Sequence, residues 1–167
     1  MTRNQSLFWS FLFTIAVPGT VSGLVPWLIT GWRRAADPFG WPGAWPLGIL
    51  LVALGLPVLL AAIFKFATAG LGTPLPAAPT THLVISGPHR FVRNPMYIAV
   101  VAIIGGQALM LERPELLWYA AFVALATATF VYFYEEPTLH RQFGEEYDRY
   151  RKAVHAWVPR ITPYRPR

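Results

Sequence analysis

The chain has no cysteine and few charges. The absence of cysteine among 167 residues excludes disulfides, a thiolate metal site and a cysteine nucleophile. Charged residues make up only 13% of the chain, against about 25% in a soluble domain. No G-x-G-x-x-G fingerprint of a dinucleotide-binding sheet is present, and there is no internal repeat or low-complexity segment. The histidines show no ligand spacing, so no metal site is expected. The net charge of +6 does not indicate nucleic acid in so apolar a chain, because there basic residues mark the cytoplasmic loops of a membrane protein.

What is abundant is apolar. Hydrophobic residues are 54% of the chain and the mean hydropathy is +0.40. A membrane-spanning helix needs about 20 mainly apolar residues. The first such run, Leu7 to Ile29, contains Pro18, Gly19, Gly23 and Pro26, which predicts a kinked helix. It is longer than the h-region of a signal peptide, about 7–15 residues, and reads as a retained span. A connection with Trp32, Trp41 and Trp45 follows, suited to a membrane–water interface. A second span runs from Leu47 to Ala69, bent at Pro57, with Lys65 able to snorkel from its end. Residues 71–95, rich in Pro, Gly and Thr, read as an extended loop lying against the membrane. A short third span, Met96 to Leu111, turns at Glu112-Arg113-Pro114-Glu115 into a fourth, Leu116 to Tyr134.

The expected fold is all-α: one integral membrane domain over 1–167, with about four transmembrane helices. Spans three and four form a helical hairpin. With an even number of spans, one side carries Arg3, Arg90, Arg93, Arg141, Arg149, Arg151, Lys152, Arg160, Arg165 and Arg167. The other carries Arg33, Arg34 and Arg113. That asymmetry predicts both termini in the cytoplasm of a bacterial inner membrane.

Two polar clusters share the basic side, one at Ser86–Tyr97 and one at Glu135–Tyr150. Each adjoins one arm of the hairpin, so they are expected to lie close in space. Leu139, Phe143, Tyr147, Tyr150 and Val154 recur every three or four residues and predict an amphipathic helix after Pro137. Arg93 could hold a carboxylate or an anionic headgroup through a bidentate contact. Glu135 and Glu136, desolvated at the end of a span, are expected to have partners. Arg90 reads as a lipid-phosphate ligand.

These residues carry a resemblance. Gly87, His89, Arg93, Asn94, Pro95 and Tyr97 follow a Gly-x-Tyr-x-x-x-Arg-His-Pro-x-Tyr pattern. Glu135, Glu136, Leu139, Phe143, Gly144, Glu146, Tyr147 and Tyr150 follow a Glu-Glu-x-x-Leu-x-x-x-Phe-Gly-x-Glu-Tyr-x-x-Tyr pattern. Over residues 80–160 the chain resembles the isoprenylcysteine carboxyl methyltransferase and phospholipid methyltransferase family of integral membrane enzymes. His89 stands where Tyr is usual, Asn94 where His is usual, and Ala99 where Gly is frequent. Asn retains hydrogen-bonding capacity but not imidazole protonation.

The resemblance implies S-adenosylmethionine as methyl donor and a lipophilic substrate entering sideways from the bilayer. It implies a cofactor site made from Leu83, Val84, Gly87, His89, Arg93, Asn94, Pro95, Tyr97, Glu135, Glu136 and Tyr147, with Arg93 and Glu136 nearest the chemistry. A carboxylate pressed on the sulfonium would stabilise the ground state more than the transition state. The two acids are therefore assigned to ribose hydroxyls, the cofactor's ammonium group or an amine acceptor. An NADPH-dependent membrane reductase and a non-catalytic lipid-binding scaffold are the alternative readings.

Overall fold

A computed structural model describes residues 8–9, 11–13, 15–35, 44–69 and 82–165. Arg3, Leu7, Trp41, Arg167 and the 71–81 part of the expected loop lie outside the described residues. Among the described residues every regular element is helical. Helix α1 is Phe11–Thr30. Then come α2 (Ala44–Ala69), α3 (Pro95–Leu111), α4 (Pro114–Phe130), α5 (Glu136–Phe143) and α6 (Glu145–Ala153). A 3-10 turn, Gly87–Arg90, precedes α3, and a π turn, Val131–Glu135, joins α4 to α5 without a break.

Helices α1, α2 and the rod Pro114–Phe143 are long and apolar enough to cross a membrane. Helix α3 is apolar but has 17 residues. At 1.5 Å per residue it spans about 25 Å, slightly less than a hydrocarbon core of about 30 Å. The outward faces of α2 and α4 expose Leu54, Leu60, Phe64, Trp118, Phe122 and Leu125, as a lipid-facing surface requires.

The prolines act on α1 through the backbone. Residues Ile15–Leu24 adopt the wider π geometry, and Pro26 sits in the α segment that follows. Pro26 has no N–H to give the carbonyls of Val21 or Ser22. Neighbouring helices supply the missing donors: Tyr119 Oη donates to Val21 O at 2.9 Å, and Gln107 Nε2 donates to Ser22 O at 2.7 Å. An unpaired carbonyl inside hydrocarbon would be costly, so such replacements are what allow a proline in a span.

Helices α2 and α3 touch backbone to backbone. A Cβ on Gly48 would stand 2.6 Å from Gly106 O, and one on Gly106 would stand 2.7 Å from Gly48 O. Small residues permit this approach, and the resulting dispersion contacts hold membrane helices together. Leu59, Ile63, Ala99, Val100, Ile103, Ile104, Leu116, Ala120 and Val123 complete the buried core between α2, α3 and α4.

The hairpin turn is tighter than the four residues expected. Glu112 takes the left-handed conformation (φ 54°) that ends α3, and Pro114 is already the first residue of α4, a position that tolerates a missing N–H. The buried Glu112 carboxylate pairs with Arg34, while Ala35 N donates to Leu111 O at 2.9 Å. The 31–35 segment is thereby bound to the hairpin turn, at the end of the bundle opposite the polar clusters.

The expected single amphipathic helix is two. Gly144 (φ 52°) breaks it into α5 and α6, because glycine takes this conformation without a Cβ penalty. The apolar stripe survives the break: Tyr147, Tyr150 and Val154 are buried together, with Leu139, Phe143, Leu83 and Ile85 packed against them. In the described part of the 71–95 loop, Leu83 and Ile85 are thereby packed against α6.

Candidate functional site

The site forms where the 86–97 turn meets the rod leaving α4. Gly87 has φ 59° and lies so close to the Lys65 stem that a Cβ would stand 2.9 Å from Lys65 Cγ. Pro95 opens α3 and keeps Asn94 out of helical geometry. At the other arm, Pro137 cannot donate to the carbonyl of Phe133 and crowds it, and the preceding turn, Val131–Glu135, is π. Such widened turns change the direction of the side chains that follow them and recur at functional sites.

Glu135 and Glu136, though adjacent, reach different partners. Tyr97 Oη donates to Glu135 Oε2 at 2.9 Å, and this is the one hydrogen bond to Glu135 among the described residues. Glu136 is fully engaged: Arg93 Nη1 lies 2.7 Å from Oε1 and Arg151 Nη2 lies 3.2 Å from Oε2. Arg93 Nη1 also donates to Tyr147 Oη at 2.8 Å. The side chains of Arg93 and Glu136 are 11% and 12% exposed, so their attraction is weakly screened by water. Burial pushes the Tyr147 hydroxyl up to about 12, with Arg93 pulling the other way. Tyr147 is therefore a neutral phenol at physiological pH.

Asn94 anchors the turn. Its backbone N–H and its Nδ2 both donate to Ala156 O, at 3.3 and 3.2 Å. His89 is buried, its ring edge-on to Phe66 at a centroid distance of 5.1 Å, and Tyr150 Oη donates to the His89 carbonyl at 2.5 Å. Burial depresses the imidazole to about 4, so the ring is neutral at pH 7. Burial also raises the Tyr150 hydroxyl above the ordinary phenol range.

Three buried polar atoms on this turn have no hydrogen-bond partner: Ser86 Oγ, His89 Nδ1 and Arg93 Nε. Buried polar groups are almost always paired, so these three atoms stand out on the turn.

The structure thus brings Arg93, Tyr97, Glu135, Glu136 and Tyr147 together, with Asn94 and His89 beside them. Leu83, Val84 and Pro95 sit inside the packing that supports the turn: Leu83 in the cluster under α6, Val84 and Pro95 buried. Arg90 does not point simply at lipid, since its Nε donates to Tyr164 O at 2.7 Å. Arg151 and Trp157, whose ring centroid is 6.4 Å from that of Tyr97, were not among the expected site residues, and Ser86 was placed in the polar cluster without a role. Arg151 could have been found, because it lies four residues after Tyr147 on the same helical face. Trp157 had no such signal.

An all-helical membrane bundle with a charge-paired polar site at its helix ends is the class of protein these features define. A profile of the phospholipid methyltransferase family matches residues 45–146, and the chain belongs to that family. It is also 30% identical, over 168 aligned positions covering 99% of this chain and 69% of the relative, to the nickel-cobalt-cadmium resistance protein NccN of Alcaligenes xylosoxydans xylosoxydans. No solved structure matches significantly.

Proposed function

We propose that this protein is a membrane methyltransferase that uses S-adenosylmethionine and acts on a lipophilic acceptor such as a phospholipid amine. The observations that carry the reading are the unpaired set Ser86 Oγ, His89 Nδ1 and Arg93 Nε, together with the Glu135 carboxylate, whose described side-chain partner is Tyr97. Hydroxyl, neutral imidazole, guanidinium and carboxylate together fit a group that offers ribose hydroxyls, ring nitrogens, an ammonium and a carboxylate. When bound, the cofactor supplies an electrophilic methyl on a sulfonium.

The chain's own residues divide the remaining work. Arg93 and Glu136 balance each other's charge, and Arg151 and Tyr147 complete a clamp around them. Glu135 keeps one oxygen available for a hydroxyl, an ammonium or the proton of an amine acceptor. His89 and Ser86 bind as neutral groups. Positioning supplies most of the rate in such a site. The proposed unit is the whole chain as one membrane domain, with the cofactor half at 80–160, the site on the cytoplasmic side of the inner membrane and both termini there.

The relative is named for resistance to nickel, cobalt and cadmium. Among the described residues no three His, Cys, Asp or Glu side chains are grouped to hold a metal ion, and no metal-handling role is proposed. The test is calorimetric titration of the purified protein with S-adenosylhomocysteine, with NADPH alongside. Saturable binding of the first alone supports the methyltransferase reading. Binding of NADPH alone moves the protein to the reductases, and binding of neither by folded protein favours a scaffold.

A further inference from the structure

The chain beyond α6 is a strap across the turn that carries Arg93. Arg93 N donates to His155 O at 3.0 Å, Arg160 N to Phe91 O at 2.8 Å and Tyr164 N to Arg90 O at 2.9 Å. The inner side of the strap is filled: Val154 is buried under α6, and the Tyr164 ring packs 5.9 Å from the Tyr150 ring. The Arg160 guanidinium turns inward and donates to Ala153 O at 2.8 Å.

The outer side is apolar and uncovered. Trp157 and Val158 are exposed and Ile161 is 98% exposed, three large side chains within five residues of a segment tied down by its backbone. Single exposed apolar residues are ordinary, but a contiguous patch marks a contact surface. Its depth follows from Trp157, which packs beside Tyr97 in the first turn of α3, and so at the boundary of a membrane-facing helix. Arg165, in the same segment, is an exposed cation at the strap's end.

We infer that the strap is a lipid-facing foot. Trp157, Val158 and Ile161 enter the headgroup–acyl boundary of the leaflet on the site's side, and Arg165 at the strap's end meets anionic headgroups there. Apolar insertion combined with basic flanks is the arrangement that binds anionic bilayers, and a tryptophan at the boundary suits its half-wet position. Because the strap's carbonyls at His155 and Ala156 hold the backbone of Arg93 and Asn94, seating the foot in lipid steadies the polar site. This inference rests on the membrane fold and not on methyl transfer.

The absence of native cysteine makes the test clean. The full chain carrying Ile161→Cys, or Glu145→Cys on the polar face of α6 as the aqueous reference, is labelled with a nitroxide. Each is placed in nanodiscs of phosphatidylcholine, alone or with phosphatidylglycerol added. Relaxation by oxygen, which concentrates in lipid, is compared with relaxation by a polar nickel chelate. The expected result is an oxygen-to-nickel accessibility ratio severalfold higher at position 161 than at 145, rising further with phosphatidylglycerol. A high ratio insensitive to phosphatidylglycerol would overturn the electrostatic half of the inference. A ratio at 161 equal to that at 145 in both bilayers, or a label immobilised and shielded from both reagents as at a protein contact, would overturn all of it.

Discussion

Gln107 donates its side-chain amide to the carbonyl of Ser22, 85 positions away, at 2.7 Å. The same side chain accepts from Trp32 Nε1 at 3.2 Å. One polar residue of α3 thus repairs the backbone that Pro26 leaves unpaired in α1 and also fixes the start of the following connection. Gln107→Leu is expected to lower stability by about 1–3 kcal/mol, the cost of an orphaned buried acceptor. Thermal unfolding in detergent reads this directly; an unchanged midpoint would mean that the Ser22 carbonyl finds another donor.

The two neighbouring glycines of α3 should behave differently. A Cβ on Gly106 meets the backbone of Gly48 at 2.7 Å, whereas one on Gly105 meets nothing within 4 Å. Gly106→Ala is expected to cost about 1–3 kcal/mol through forced separation of α2 and α3, and Gly105→Ala to be neutral or slightly stabilising. The pair controls for helix propensity, since both changes are the same. Equal effects would show that α2 and α3 do not touch there.

Removing one member of the clamp strands the others. Arg93→Ala leaves Glu136 with Arg151 alone, and Glu136→Gln leaves both arginines without a carboxylate. Each variant should stay in the membrane fraction yet bind S-adenosylhomocysteine about tenfold or more weakly, which is about 1.4 kcal/mol. Glu136→Gln should also lose about 3 kcal/mol of stability, as expected when a buried ion pair is broken from one side. Wild-type affinity in both variants would place the cofactor elsewhere.

His89 makes stability depend on pH. Its imidazole lies near 4 in the fold, below the model-compound value of 6.5, so the unfolded chain binds the proton more tightly. The contribution is complete above about pH 6.5, falls as the pH drops, and is gone near pH 4, for a total of about 3 kcal/mol. His89→Gln should flatten the part of the stability–pH curve between those values. A wild-type slope in the variant would assign the titration to another group.

Much of the architecture was legible in the residues. The apolar runs marked the helices, and the Leu139, Phe143, Tyr147, Tyr150 and Val154 spacing marked the face that packs. The short turn between the third and fourth apolar runs brought Arg93 toward Glu136. What could not be read was which acid does what. Glu135 and Glu136 are the same residue type at consecutive positions; a helix splays them by about 100°, and only the packing around them decides that one meets Tyr97 and the other two arginines. Arg90 was likewise unreadable, because its partner is a carbonyl of the strap.

The sequence by itself determined that this chain lives in a membrane as an α-helical bundle with its cations gathered at one end. Hydrocarbon accepts only backbone that pairs with itself, and that demand is written in local composition. The tertiary structure alone decided how the prolines of α1 are repaired, how closely α2 meets α3, and which polar atoms at the site are spent or left open. Those outcomes depend on contacts between residues far apart in the chain, whose distances no local pattern encodes.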